Sequence, residues 1–142
     1  MPKPRNQKSS KEYGTELEQN VANHFVEIGF PKAKPTRGSG CGFCKGDIVG
    51  IEDIAHVECK RVNKPNVNVK LAVWKKLNEE IPLHSNKMPL YVVQNATDMK
   101  LVCLDINDFF KILKGYLKND FLQRTKSKSN RASERVFRME RF

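Results

Sequence analysis

Apolar residues in this chain switch between two spacings, and the order of the switches fixes what it can fold into. Leu17, Val21, Phe25 and Ile28 recur at helical intervals, and Gly29 stops the run. A short extended piece at 32–35 and a glycine-rich loop at 37–46 (RGSGCGFCKG) come next. Two short apolar runs, 48–51 and 54–59, are parted by Glu52 and Asp53, a pattern that predicts a β-hairpin. Leu71, Trp74, Leu77 and Ile81 form a second helical stripe that ends near Pro82. Residues 90–93 and 101–104 read as two further strands. Asp105 or Asn107 then caps a third helix through Phe109, Phe110, Ile112, Leu113 and Tyr116. Helix, strands, helix, strands, helix predicts an α/β domain with a central mixed β-sheet flanked by helices.

A chain of 142 residues is long enough to build one core without disulfide or metal staples. With 39% hydrophobic and 30% charged residues, a disordered chain is excluded. No apolar run approaches the ~20 residues of a membrane span, and the Lys-rich start lacks the apolar stretch of a signal peptide. Four cysteines is ordinary usage for a reducing compartment, so a cytoplasmic location is expected.

The net charge of +10 is unevenly spread. Residues 1–11 hold four bases and no acid, and residues 124–142 hold seven bases and two acids. Residues 12–123 are left almost neutral, at +1. The composition therefore divides the chain into a flexible basic segment (1–13), a folded domain (14–123) and a basic tail (124–142) with few core candidates. A neutral body with basic ends points to a polyanionic partner, most economically nucleic acid; the bland alternative is that the ends only aid solubility.

The sharpest chemical feature is Glu58-Cys59-Lys60 at the end of the apolar strand IAHVECK. Strand alternation sends Glu58 and Lys60 to one face and Cys59 to the other. Asp47 opens the preceding strand, so hairpin pairing would bring it beside Glu58. Two carboxylates that close repel each other unless a cation lies between them, and hard oxygen donors suit Mg²⁺ or Mn²⁺. Lys60 would orient the attacking water or neutralise charge building on a phosphate. Glu18, on the first helix, shares a face with Ala22 and Phe25 at the edge of the apolar stripe. The bland readings are an i,i+2 charged pair on a surface hairpin and a capping-turn carboxylate.

These residues carry a resemblance. Asp47 followed by Glu58-x-Lys60 is similar to the PD-(D/E)xK nuclease motif. More narrowly, GTELE and GF, then RGSG, KGDIVG and VECKR resemble the archaeal-type Holliday junction resolvases, including phage-encoded relatives. The similarity runs from about Gly14 to Arg61. It implies a restriction-endonuclease-like core and a Mg²⁺-dependent DNA endonuclease, with Mn²⁺ able to substitute. It implies a homodimer acting on four-way junctions in a prokaryotic or phage-infected cell. By position, Glu18, Asp47 and Glu58 would be metal ligands, with the Cys59 carbonyl also facing a metal. Lys60 would be the catalytic lysine, and Ser39 would sit near the scissile phosphate. Arg37, Gly38, Gly40 and Lys45 of the loop would contact DNA; independently of the resemblance, Arg61, Lys64 and Lys70 just beyond the Glu58-x-Lys60 strand read as a phosphate-binding border. Gly46 stands where the family usually has proline, and the Cys41–Cys44 insertion and long basic end depart from the family pattern.

Cys41-x-x-Cys44 lacks the second ligand pair of a structural zinc site, so a thiol pair is the simpler reading. Trp74 reads as core or interface rather than a base-stacking platform. Two other functions remain open at this level. One is a nuclease of the same motif acting on another DNA structure (nicking, flap or restriction-like). The other is a non-catalytic nucleic-acid-binding module, which would leave Asp47 and Glu58 without a purpose.

Overall fold

The computed structural model describes residues 8–36 and 46–139, with side chains as far as residue 129. The helices are α1 (Ser10–Glu27), α2 (Leu71–Glu79) and α3 (Ile106–Met139). The strands are β1 (Lys34–Pro35), β2 (Ile48–Val49), β3 (Ala55–Arg61), β4 (Met88–Gln94) and β5 (Lys100–Cys103). Together they make a small α/β protein, in which α1 and α2 pack on a three-stranded mixed sheet, β3-β4-β5. The chain divides into two compact units, one ending at Leu104 and the other beginning at Asp105.

In the first unit, α1 begins earlier than its apolar stripe. Ser9 caps it: the Ser9 hydroxyl accepts from the Glu12 amide at 3.3 Å, and the Glu12 carboxylate accepts from the Ser9 amide at 2.5 Å. This capping box makes residues 10–13, expected in a flexible segment, the first helical turn. Leu17 and Ala22 of α1 are buried against Val57 and Cys59 of β3 and Val92 of β4, with Ile48 and Ile51 closing the cluster. On the opposite sheet face, Leu77 of α2 packs with Tyr91 and Val93, and Trp74 lies half-buried beside them. Trp74 is thus a core-side residue.

β3 and β4 are parallel, with Glu58 opposite Tyr91, and β4 and β5 are antiparallel. A parallel pair needs a long crossover, and the segment carrying α2 supplies it. The expected hairpin between 48–51 and 54–59 does not form. β2 instead runs antiparallel to β1, with Pro35 opposite Ile48. Gly50 (φ +78°) and Glu52 (φ +56°) take left-handed conformations that turn the chain away between β2 and β3. Gly50 also passes so close to the segment leading into β1 that a Cβ there would lie 2.1 Å from the Lys32 carbonyl oxygen.

The second unit is α3. The Asp105 carboxylate caps it, accepting from the Asn107 amide at 2.8 Å. The helix does not end after Tyr116 but continues through 124–139, where the sequence suggests only a tail. No proline or glycine follows Gly115, and an Asp120–Arg124 pair (2.9 Å) adds i,i+4 support. Phe109, Phe110, Tyr116 and Leu117 are exposed along it. Among the described residues no helix is long and apolar enough to cross a membrane.

Candidate active site

β3 is an edge strand of its sheet, and the candidate site is built on its outer edge. Alternation places Glu58 and Lys60 on the α2 face, with Lys60 Nζ 2.5 Å from Glu58 Oε1. Cys59 points the other way into the α1 core, and burial pushes its thiol pKa far up, so it is no nucleophile. Asp47 reaches the site without a full strand pairing. Its amide donates to the Val57 carbonyl at 2.8 Å, and its Oδ2 accepts from the Cys59 amide at 2.6 Å. A carboxylate oxygen thereby satisfies a backbone donor that the strand edge would leave open. Thr36 holds the other side: its amide donates to the Asp47 carbonyl at 2.9 Å, and its hydroxyl to the Gly46 carbonyl at 2.8 Å.

Glu18 joins the group from α1. Burial raises its carboxyl pKa, and the negative charges of Asp47 and Glu58 raise it further, while Lys60 opposes them. Asp47 is also raised, chiefly by burial and then by Glu58; the Cys59 amide, Lys60 and His56 pull the other way. Burial works against the Lys60 ammonium, yet the hydrogen bond and charge of Glu58, with Asp47 beyond, more than offset it, and Lys60 is raised. Lys60 is therefore a cation at neutral pH. Glu58 pairs with the Lys60 ammonium while Asp47 and Glu18 lie within its electrostatic reach, although among the described residues no three carboxylate, imidazole or thiol groups close around one point at metal-binding distance.

The other expected site residues fall into two groups. Arg37, Gly38, Ser39, Gly40 and Lys45, with Cys41 and Cys44, lie outside the described residues. Lys64 and Lys70 are exposed. Arg61, expected on a phosphate-binding border, is turned inward: its side chain is 9% exposed, and its guanidinium lies 3.7 Å from the Tyr13 ring centroid. It donates to Asn63 Oδ1 at 2.9 Å and lies 3.9 Å from Asp98. Tyr13 carries no sequence signal of this role, because only the tertiary fold stacks it on Arg61.

Two further groups beside the site are not among the site residues expected from the sequence. Tyr91, opposite Glu58 in the β3–β4 register, is buried within the field of Lys60 and Glu58, and burial raises its phenol pKa. His56 precedes Glu58 on the same face, and its Nε2 meets Glu80 Oε2 at 3.0 Å. His56 is a polar interruption of an apolar run, a signal that marks it for attention. Its partner lies 24 residues away and has no sequence signal. Comparison of the chain with protein-family models, with curated proteins and with solved structures gave no match.

Proposed function

We propose that this protein is a metal-dependent DNA endonuclease with a restriction-endonuclease-like core, and that it resolves four-way DNA junctions. One observation carries the reading: Asp47, bonded to the Cys59 amide, stands beside the paired Glu58 and Lys60 on a single strand edge. The donor set is all oxygen, which suits Mg²⁺ and Mn²⁺. Mg²⁺ commonly takes only one or two carboxylates and fills its remaining positions with water and substrate phosphate. Asp47 and Glu58 would hold it, and Glu18 would add negative charge from α1. A bound ion would supply Lewis acidity toward the scissile phosphate.

The chain's own groups do the rest. Asp47 has one oxygen committed to the Cys59 amide, which fixes the carboxylate plane and leaves its other oxygen for coordination. Lys60, protonated at neutral pH, is a poor general base. Its work is to stabilise charge on the phosphate as it passes through the transition state, exchanging Glu58 for the substrate. Basic side chains at the chain ends would supply sequence-independent affinity for DNA. Cutting two opposed strands needs two such sites, so the active species would be a symmetric homodimer.

The test is cleavage of a labelled four-way junction and of a linear duplex with the same arm sequences, in Mg²⁺, Mn²⁺ and chelator. The expected result is metal-dependent paired cutting of the junction. Asp47→Asn, Glu58→Gln and Lys60→Ala should lose activity by at least about 100-fold with junction binding nearly intact. Equal cutting of the linear duplex would move the reading to a nicking, flap or restriction-like enzyme. Binding without cutting in either metal would leave a non-catalytic nucleic-acid-binding module.

A further inference from the structure

The residue immediately before Asp47 is glycine, the least constrained residue in a chain, and it sits at φ +97°. The hydrogen bonds to Val57 and Thr36 hold Asp47 itself, so the hinge before it depends on what packs against Gly46. A Cβ at Gly46 would lie 3.1 Å and 3.2 Å from His56 Cε1 and Nδ1 and 3.2 Å from the Val57 carbonyl oxygen, so the imidazole and the β3 backbone together wall the side of Gly46 where a side chain would stand. The His56 side chain is only 5% exposed, and its Nε2 lies 3.0 Å from Glu80 Oε2. Glu80 is the C-terminal cap residue of α2, and its other oxygen lies 3.8 Å from Lys76. His56 and Glu80 also line an open pocket of about 560 Å³, together with Ile51 and Lys87 among others. The bond to Glu80 is the side-chain contact that holds the ring beside this open space.

We propose that His56, held by Glu80, is a positioning residue for Asp47: the ring is the platform that sets Gly46, and Gly46 sets the carboxylate against β3. The assignment rests on the nuclease reading for its effect on cleavage, but its effect on cation binding is separate. A polar group one step behind a ligand commonly changes metal affinity or activity by about 10–100-fold when removed.

The experiment compares wild type with His56→Phe, Glu80→Ala and Glu80→Gln. It measures Mn²⁺ binding to DNA-free protein by calorimetry, then junction cleavage, with thermal melting to check folding. His56→Phe keeps a ring but loses the bond, Glu80→Ala frees the imidazole, and Glu80→Gln keeps a hydrogen-bonding end. Expected are Mn²⁺ binding weakened about tenfold and kcat lowered about 10–100-fold in the first two, with KM for the junction within about threefold. Glu80→Gln should restore both to near wild type. If His56→Phe fails to fold, the two Glu80 variants, at a partly exposed helix end, carry the test. Wild-type Mn²⁺ affinity in Glu80→Ala overturns the proposal, whatever happens to DNA. If Mn²⁺ binding follows the expected order while the wild type cuts no DNA, the positioning role stands and the nuclease reading falls. A wild type that binds no Mn²⁺ overturns both.

Discussion

At Gly50 a methyl group would meet the Lys32 carbonyl oxygen at 2.1 Å, on a backbone already at φ +78°. The atom met is backbone rather than the end of a flexible side chain, so one of the two backbone segments must move. Gly50→Ala should lower unfolding free energy by about 2–3 kcal/mol, read from the denaturation midpoint. Asp47 behaves in the opposite sense. Its carboxyl pKa is raised in the fold, mainly by burial, so the folded state prefers the neutral form. Stability from this group is therefore fullest at low pH and declines as pH rises from the unfolded value through the folded one. Asp47→Asn keeps an acceptor for the Cys59 amide and removes the charge. The metal-free variant should melt above wild type at pH 7, with the gain shrinking as pH falls toward the ordinary carboxylate range. An equal or lower melting point at pH 7 would contradict that account.

Among the elements, α1 owes its early start to the Ser9–Glu12 box, and Ser9→Ala should cost about 1 kcal/mol in a denaturant melt. Helices α1 and α2 and strands β3 and β4 are legible in the sequence because apolar spacing reports which face is buried, whereas α3 and β5 are legible from the same spacing although their apolar side chains are largely exposed. Strand partners are not. The 48–49 segment is a good strand whose pairing is decided by left-handed residues after it, and Glu52 gives no sign in its side chain of adopting such a conformation. The far half of α3 reads as a tail because it lacks an apolar stripe, yet nothing in it breaks a helix. At the site, Glu58 and Lys60 are visible from alternation alone, and Asp47 from its place before β2. The link through the Cys59 amide, and the His56–Glu80 pair, are long-range interactions that no local pattern encodes.

For the molecule as a whole, half of the +10 net charge resides in residues 124–142. Deleting them should weaken junction binding and flatten the dependence of log affinity on log salt by about 0.9 for each phosphate no longer neutralised, with the cleavage rate at saturating enzyme unchanged. An unchanged salt slope would count against an electrostatic role. The β3–β4 register has another consequence, this time for synthesis. Ala55 pairs with Met88, so β3 is finished on the ribosome while its partner is still some 33 residues from being made. At ordinary elongation rates the nascent chain carries a lone apolar strand for about 2–7 s. Glu58 and Lys60 are the charges on that strand before Arg61, and charges of this kind discourage strands from adding to one another. The Glu58→Gln/Lys60→Gln double variant should therefore deposit more of its product in the insoluble fraction on expression at 37 °C than wild type does, even where the purified variant melts no lower. The same pair of side chains would then guard the nascent chain against aggregation before it serves the finished site.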